Sequence, residues 1–412
     1  MSALVFLNPV GVLGGAERSL LDLLAALRRE CPRQKLCLII GSDGPLMAEA
    51  GKLGVAAEVI PFPAALAEAG DAGMKLGSRG RLATAATHLW KGAKAGLAAR
   101  KFAHTLAERI KSFDPALIHS NGIKCHLLVW MMGDLGVPVV WHVRDFLSSR
   151  ALMRRALRIA SKSARQVVTC SEAVAIDARR VLPGVPVSGM MDGIDIENYA
   201  PGPQPGASLD ALAGQAPASE DTVRIGMLGV FARWKGQDLF LQAAAKFFSK
   251  PPNARARFYI IGGALYQTAG SQFSLEELQQ MRDRLGLTER VAFIPFQRDT
   301  VPIYRALDVV AHCSTHPEPL GRTVMEPMAC GRAVVATYAG GVREIITPEK
   351  DALAVPLKDA EALADAFGRL AQDVTLRSTL GVAARKTAVA RFSNTRMIVQ
   401  LLEIYRALKI PI

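Results

Sequence analysis

The sequence predicts an α/β protein built from two doubly wound parallel sheets. Short apolar runs, such as Ala3–Asn8 and Val223–Gly229, alternate with helical patterns along most of the chain. Glycine-rich turns follow many of these runs, as is typical where a strand passes into a helix. The alternation restarts after residues 199–221, which indicates a second domain.

The predicted domain boundaries follow this change in composition. Residues 1–198 form a first domain and residues 222–392 a second. Residues 199–221 join them as a linker rich in Pro, Gly and Ala, which favour irregular structure. Residues 393–412 form a terminal helix after the second domain.

The composition is that of an ordinary soluble protein. Of the 412 residues, 50% are hydrophobic and 21% are charged. No apolar run approaches the ~20 residues that a membrane-spanning helix needs, and the first residues are typical of a strand rather than a signal peptide. The six cysteines form no Cys-x-x-Cys pair, so we expect reduced thiols in a cytoplasmic protein and no metal site.

Positive charge is concentrated in the first half of the chain. The net charge is +13, and residues 1–195 carry 25 Lys and Arg against 16 Asp and Glu. Residues 81–112 have a basic amphipathic helical pattern, for which a membrane-surface helix and a solvated face on a packed helix both stay open. This charge attracts a phospholipid surface, nucleic acid or a phosphorylated substrate. No recognition motif supports nucleic acid.

Glycines and polar side chains follow the strands of the first half. Gly14 and Gly15 come after the first strand, Asn121 after a later one, and His142 and Arg144 at the end of the next. Ligands of open parallel sheets bind at the carboxyl ends of the strands, so these residues are candidates for a substrate site. A packing or turn role is the alternative for His142 and for either glycine.

The second half begins with a strand and a cationic loop. Gly229 is followed by Arg233 and Lys235, and the planar fork of Arg and the point charge of Lys both suit a diphosphate. A solvated side chain is the alternative for Lys235. Later strand ends add three candidates: Gly262, Gly263 and Arg298. For Arg298, a ligand contact and an ion pair with Asp299 are both open.

The most informative stretch lies between residues 307 and 331. An apolar run predicts a buried strand, and a short helix is expected to begin at Gly321–Thr323. The N–H groups at a helix N-terminus bind phosphate well. Glu318 precedes this helix and Glu326 lies about one turn inside it, so the stretch suits a nucleotide sugar. A surface helix with two solvated carboxylates is the alternative.

The phrase Pro-Glu318-Pro-Leu-Gly-Arg-Thr-Val-Met-Glu326 resembles the signature of retaining glycosyltransferases of family 4. Gly-Gly-Ala-Glu after the first strand and Lys235-Gly236 resemble other phrases of that family. The resemblance covers nearly the whole chain and is strongest over residues 223–347. It implies the GT-B fold, in which two Rossmann-like domains face an interdomain cleft and a C-terminal helix crosses back to the first domain.

Three positions depart from the family's pattern. The family usually has Phe at Leu320, Ala at Pro327 and Arg at Val230. Pro327 removes one helical hydrogen bond and can kink the helix. We expect Arg233 to supply the charge that is missing at Val230.

The resemblance also implies roles for individual residues. Glu318 contacts the donor sugar, Glu326 the ribose and Lys235 the diphosphate, and Arg233 is our own expected substitute for the family Arg that is absent at Val230. His142 acts on the acceptor side, so the implied catalytic residues are Glu318, Lys235, Arg233 and His142. The implied donor site consists of Gly14, Gly15, Gly229, Gly262, Gly263, Arg298, Leu320, Gly321, Arg322, Thr323 and Glu326. The implied acceptor site consists of Asn121, His142 and Arg144.

The implied function is transfer of a sugar from a nucleotide-diphosphate sugar to a glycan or lipid-linked acceptor, with retention of configuration. Synthesis of cell-surface polysaccharide or lipopolysaccharide, at the inner face of the membrane, fits this function. No metal or other cofactor is expected, because cationic side chains take the place of Mg²⁺. A non-hydrolysing nucleotide-sugar epimerase and a catalytically silent nucleotide-sugar-binding protein stay open. The sequence leaves the base, the sugar and the acceptor open.

Overall fold

Two compact units make up the computed structural model: residues 1–192 with Met397–Ile412, and Gly193–Arg396. The residues that it describes are 2–63, 83–150, 153–250, 255–264 and 271–412, without the side chains of residues 83–95. Each unit contains one all-parallel sheet, and the predicted α/β class with two Rossmann-like sheets is confirmed.

Unit 1 contains a seven-stranded sheet. Its strands are β1 (Ala3–Asn8), β2 (Leu36–Ile40), β3 (Ala56–Val59), β4 (Pro115–Asn121), β5 (Val139–Val143), β6 (Gln166–Thr169) and β7 (Val187–Gly189). The strand order is β3-β2-β1-β4-β5-β6-β7. Its helices are α1 (Gly15–Glu30), α2 (Pro45–Lys52), α3 (Ala83–Lys111), α4 (Ile123–Met131), α5 (Arg154–Ala160) and α6 (Glu172–Val181).

Unit 2 contains a six-stranded sheet. Its strands are β8 (Val223–Val230), β9 (Ala256–Gly263), β10 (Val291–Pro295), β11 (Val309–His312), β12 (Ala333–Thr337) and β13 (Leu353–Val355). The strand order is β10-β9-β8-β11-β12-β13. Its helices are α7 (Ala207–Leu212), α8 (Gln237–Ser249), α9 (Leu275–Arg284), α10 (Val301–Ala306), α11 (Arg322–Ala329), α12 (Val342–Ile345), α13 (Ala360–Gln372) and α14 (Val374–Arg391).

The inner strands are apolar along their length because helices cover both faces of a parallel sheet. Every residue of β1, β2 and β12 is buried. The last helix, α15 (Asn394–Ala407), contributes to the core of unit 1 rather than to that of unit 2. Its side chains in that core are Met397, Ile398, Leu401, Leu402 and Tyr405.

The linker predicted for residues 199–221 contains helix α7, so part of it was wrongly expected to be irregular. Asp210 of this helix is fully buried. It accepts hydrogen bonds from the Tyr259 hydroxyl at 2.6 Å and from Arg257 at 2.7 Å. These bonds fasten α7 to β9, and they explain how a Pro-rich stretch becomes ordered.

The basic helix predicted at residues 81–112 is confirmed as α3. Residues 61–80, whose high content of Ala and Gly predicts irregular structure, fall largely outside the described residues. Within the described ranges, no helix combines the length and the hydropathy that are needed to cross a bilayer.

Candidate active site

The loop before α11 lies at the carboxyl edge of the second sheet. β11 ends at His312, the loop carries Glu318, and α11 begins after Gly321, whose φ of 113° favours glycine. A Cβ on Gly340 would lie 2.3 Å from the Glu318 carbonyl oxygen. The Gly341 N–H donates to the same oxygen at 2.7 Å. A glycine turn after β12 therefore holds the backbone of Glu318 in place.

The Glu318 side chain is 9% exposed, and both of its carboxylate oxygens have donors. Lys235 Nζ donates to Oε1 at 2.7 Å, and Ser314 Oγ donates to Oε2 at 2.7 Å. His312 Nε2 lies 3.3 Å from Oε2. Burial opposes ionisation, but the charge of Lys235 and the hydrogen bond from His312 outweigh it and hold the pKa of Glu318 well below its usual range. The carboxylate is therefore ionised at neutral pH.

Lys235 reaches Glu318 through a close backbone contact. It ends a short 3-10 turn, Arg233–Lys235, that follows β8. The next residue, Gly236, has a φ of 80°, and a Cβ there would lie 2.0 Å from the Cys313 carbonyl oxygen. Glycine at this position lets the turn rest against the loop that carries Glu318. Lys235 Nζ also lies 4.1 Å from the centre of the Trp234 ring.

Three further residues belong to this cluster and were missed by the sequence analysis: His312, Ser314 and Thr337. Thr337 Oγ1 lies 3.2 Å from His312 Nδ1. With the Thr337 hydroxyl donating to Nδ1, the Nε2–H of His312 faces Glu318. None of the three is more than 4% exposed. Their position as polar residues at the ends of the apolar strands β11 and β12 is the signal that could have identified them.

Glu326 lies inside α11 and is 4% exposed. Its Oε2 accepts from the Tyr304 hydroxyl at 2.9 Å, and its Oε1 accepts from Arg322 Nε at 3.1 Å. The helix continues through Pro327 to Ala329. Glu326 is thus already paired within unit 2, and its contact with a ribose stays a prediction.

Arg233 has an acidic partner of its own. Its Nη2 lies 2.7 Å from Glu277 Oε1 at the start of α9, and its guanidinium lies 4.3 Å from the centre of the Phe273 ring. Both side chains of the ion pair are over two-fifths exposed. The proposal that Arg233 replaces the charge missing at Val230 therefore stays a prediction, and it requires the guanidinium to leave Glu277.

Three predicted glycines meet at the ends of β8 and β9. Gly229 pairs with Gly262, and Val230 with Gly263. A Cβ on Gly262 would lie 1.9 Å from the Gly229 carbonyl oxygen, so glycine is needed at this position for strands β8 and β9 to approach each other. Arg298 follows the edge strand β10, two places from β8 in the sheet. The side chain of Leu320 is buried, whereas Arg322 and Thr323 form the first turn of α11.

In unit 1, a chain of buried polar side chains fixes the Gly14-Gly15 loop. Glu17 Oε2 accepts from the Gly14 N–H at 3.1 Å, and Asn8 Nδ2 donates to Glu17 Oε1 at 3.4 Å. Asn121 Nδ2 in turn donates to Asn8 Oδ1 at 2.6 Å. Burial raises the pKa of Glu17. Gly15 itself is exposed, and a Cβ there would meet open space.

The predicted acceptor residues Asn121 and Arg144 are hydrogen-bonded to one another. Arg144 Nη1 donates to Asn121 Oδ1, and Arg144 Nε donates to Asp192 Oδ2 at 2.8 Å. Asp192 is 1% exposed. Burial opposes its ionisation, but the charge of Arg144 holds the pKa of Asp192 well below its usual range. The ends of β4 and β5 and the segment after β7 are thereby tied together.

His142 is fully buried, although an acceptor contact was predicted for it. Its Nδ1 lies 3.2 Å from His119 Nε2, and His119 Nδ1 lies 2.6 Å from the Tyr405 hydroxyl. Its Nε2 lies 3.2 Å from Asp192 Oδ1. Burial and the nearby Arg144 lower the pKa of His142 to about 4. A direct contact of His142 with an acceptor stays a prediction.

No metal centre accompanies these clusters in the part of the chain that the structure describes. No three His, Cys, Asp or Glu side chains there are grouped so that they could hold a metal ion.

Sequence models of known families match both halves of the chain. The family described as Glycosyltransferase Family 4 matches residues 13–197, and the one described as Glycosyl transferases group 1 matches residues 222–373. The chain belongs to glycosyltransferase family 4. The match over residues 13–197 contains the Gly14-Gly15 loop and His142, and the match over residues 222–373 contains Lys235 and Glu318.

Curated relatives in this family are glycosyltransferases. The D-inositol 3-phosphate glycosyltransferase of Saccharomonospora viridis is 36% identical over 221 residues, which are 52% of this chain and 48% of that protein. The lipopolysaccharide core biosynthesis glycosyltransferase LpsE of Rhizobium meliloti is 29% identical over 167 residues, 40% of this chain and 45% of that protein. The chain spans about half the length of the curated relatives that it matches.

A solved structure resembles the fold over nearly the whole chain. The crystal structure of HepE from Anabaena in complex with UDP and glucose has a TM-score of 0.77. The match covers 99% of this chain and 100% of that one, at 24% sequence identity. At this identity the likeness shows the fold, and it confirms the GT-B class that the family resemblance implied.

Proposed function

We propose that the protein is a retaining glycosyltransferase that moves a sugar from a nucleotide-diphosphate sugar to a glycan or lipid-linked acceptor. The observation that carries this proposal is the pairing of Lys235 with the buried carboxylate of Glu318, directly before the N-terminus of α11. A cation and helix amides suit a diphosphate, and an ionised carboxylate suits sugar hydroxyls.

The proposed mechanism depends on charge that develops during transfer. As the bond from the sugar to the diphosphate breaks, negative charge builds on the leaving group and positive charge on the sugar. Lys235 and the first turn of α11 stabilise the leaving group, as preorganised positive groups do elsewhere. Glu318, held by Ser314 and His312, accepts hydrogen bonds from the sugar hydroxyls and fixes the sugar in position.

The first donor to test is UDP-glucose. HepE of Anabaena has been solved with UDP-glucose as well as with UDP and glucose. The shared fold supports this choice as a starting point, and GDP-, ADP- and dTDP-sugars complete the series.

For the acceptor we propose a phosphorylated or lipid-linked glycan used in cell-surface polysaccharide synthesis. The curated relative LpsE belongs to lipopolysaccharide core biosynthesis. The excess of Lys and Arg in residues 1–195 suits an anionic acceptor, since it lies in the unit to which the family resemblance assigns acceptor binding. A cytoplasmic protein at the inner face of the membrane fits this role.

A catalytically silent nucleotide-sugar-binding protein is the second candidate. Two observations favour it. Glu326 is paired with Arg322 and Tyr304, and Arg233 is paired with Glu277, so both side chains already have partners within the protein. Tight donor binding with neither transfer nor slow hydrolysis would establish this alternative. Conversion of the donor to an epimer without any acceptor would instead identify an epimerase.

The test begins with a thermal-shift series of nucleotide sugars and the matching free nucleotides. We expect one nucleotide sugar to raise the melting temperature by mass action, and nucleotide release to follow when an acceptor is added. Glu318→Gln should keep the shift caused by the free nucleotide and lose turnover. Glu349→Gln, which alters an exposed carboxylate paired with Arg369 in the same unit, is the control. Equal turnover in wild type and Glu318→Gln contradicts the proposal.

A further inference from the structure

A second cationic region lies in unit 1, separate from the basic helix α3. Residues 146–171 contain six Lys and Arg and no Asp or Glu. The six cations are Arg150, Arg154, Arg155, Arg158, Lys162 and Arg165. They lie on α5, on the 3-10 turn Ser161–Ser163 that extends it, and on the residues around them.

α5 and its extension have one buried face and one exposed face. Leu157, Ala160 and Ser161 are no more than 1% exposed and point into unit 1. Arg155, Arg158, Ile159 and Lys162 are exposed. Their spacing of three and four residues places them on one face. Ile159 is 53% exposed among these cations, so the outer face is both basic and apolar.

Most of this charge has no internal partner. Arg150 pairs with Asp145, and Arg158 Nε donates to the Val181 carbonyl oxygen. Among the residues that the structure describes, no acidic side chain lies within ion-pair distance of the other four: Arg154, Arg155, Lys162 and Arg165. A surface with so many uncompensated cations attracts an external anion.

Part of this region is concave. Lys162 and Arg165 line an open groove of about 670 Å³ together with Gln166, Gly184 and Pro186. Two cations beside a groove provide a place for a phosphate group, and the exposed face of α5 continues the positive surface beyond it.

We propose that this region, the α5 surface (Arg154, Arg155, Arg158, Ile159, Lys162 and Arg165), docks the protein on an anionic phospholipid bilayer. The exposed Ile159 favours a bilayer over a nucleic acid, because apolar side chains among cations suit the boundary between headgroups and acyl chains. Trp130, 39% exposed, is on α4, which packs against α5, and adds an aromatic side chain suited to that boundary. A lipid phosphate occupies the groove beside Lys162 and Arg165. The proposal extends the use of a lipid-linked acceptor, but its test does not require sugar transfer.

The test is co-sedimentation of the full chain with vesicles of phosphatidylglycerol and phosphatidylcholine, and with vesicles of phosphatidylcholine alone. We expect binding only to the anionic vesicles, and weaker binding as salt increases. The triple variant Arg155→Gln, Lys162→Gln, Arg165→Gln leaves the Arg158 hydrogen bond intact. We expect it to bind about a hundredfold more weakly, from the typical contribution of a cation near an anionic bilayer.

The matched control is Arg284→Gln, Lys350→Gln, Lys386→Gln, which removes three exposed cations from unit 2. We expect this control to keep most of the binding. The proposal is overturned if the wild type does not bind anionic vesicles at low salt, if both triple variants lose binding equally, or if the α5 triple variant keeps it. A single-stranded RNA that displaces the protein from the vesicles at equal phosphate concentration also overturns it. The thermal shift with a nucleotide sugar, measured on the same variants, reports separately on the proposed function.

Discussion

Lys235 and Glu318 are 83 residues apart in the sequence, and their side chains form an ion pair of 2.7 Å. Lys235 is 17% exposed and Glu318 is 9% exposed, so the pair is largely shielded from water. If Lys235 binds a diphosphate as proposed, it must share its charge between that ligand and Glu318. Donor binding and the release of Glu318 toward the sugar are then linked events.

The first prediction concerns this ion pair. Lys235→Met leaves the Glu318 carboxylate buried without its cation, and we expect a loss of about 3 kcal/mol in the free energy of unfolding. Urea denaturation of the full chain measures it. Adding Glu318→Gln should recover part of the loss, because the uncompensated charge is then gone. A double variant as unstable as the sum of the two single variants would contradict the coupling.

The second prediction concerns the glycine that places Lys235. Gly236→Ala should destabilise unit 2 by about 1–2 kcal/mol through its positive φ and by about 1–3 kcal/mol more through overlap with the Cys313 carbonyl group. Gly286→Ala separates the two effects, since Gly286 has a φ of 67° and open space around its Cα. Chemical denaturation should give a clearly lower free energy of unfolding for Gly236→Ala than for Gly286→Ala. Equal free energies of unfolding for the two variants would refute the close contact.

The third prediction concerns the stability of unit 1 at low pH. Burial lowers the pKa of His142 to about 4 and that of His126 to about 3. In the unfolded chain these two histidines titrate near pH 6.5. As the pH falls from about 6.5 to 4, the unfolded chain therefore binds protons at them that the folded chain does not bind. Stability should therefore fall through this window, with His142 contributing on the order of 3 kcal/mol.

Two carboxylates modify this profile in different directions. Burial raises the pKa of Glu17 in the folded chain. The folded chain therefore binds a proton at this carboxyl before the unfolded chain does, so Glu17 adds to the free energy of unfolding as the pH falls. Asp192, whose pKa Arg144 lowers, removes stability only below about pH 4. Urea unfolding at pH 7.5 and pH 5, followed by tryptophan fluorescence, is the measurement. Trp141 contributes to this signal, and its ring stacks on that of His126 with the ring centres 4.6 Å apart. His142→Gln should flatten the slope, and an unchanged slope contradicts the assignment.

The fourth prediction concerns Thr337 as a positioning residue for Glu318. Thr337→Val removes the hydrogen bond to His312 and keeps the shape of the side chain. A hydrogen bond of about 1 kcal/mol corresponds to about a fivefold loss of turnover. Thr337→Ser should restore it. For Thr337→Val we expect kcat to fall while the affinity for the free nucleotide changes little. A merely structural role would lower the melting temperature without lowering kcat selectively.

The alternation of strands and helices, the glycine turns and the loop that carries Glu318 could be inferred from the sequence because they depend on local patterns. An apolar run followed by glycine and a helical repeat predicts a strand end whatever the rest of the chain does. The partners of charged side chains depend on distant segments instead. Arg233 pairs with Glu277, 44 residues away, and no local pattern favours this partner over a ligand.

Two buried residues show the same limit. His119 lies inside the apolar strand β4, a position typical of a core residue, and it is fully buried. However, its hydrogen bond to Tyr405 spans 286 positions and depends on where the last helix packs. Asp210 lies in a stretch whose prolines predict a loop, yet its contacts with β9 outweigh that preference and allow helix α7 to form.

The placement of Tyr405 has a consequence for biosynthesis. The core of unit 1 includes side chains from Met397 onward, and the ribosome makes these only after it has made all of Gly193–Arg396. At typical rates of translation, the first sheet waits about 10–40 s for the helix that completes its core. During that interval the nascent chain exposes the apolar surface that Leu401 and Tyr405 later cover, so chaperones that bind such surfaces have a defined period in which to act.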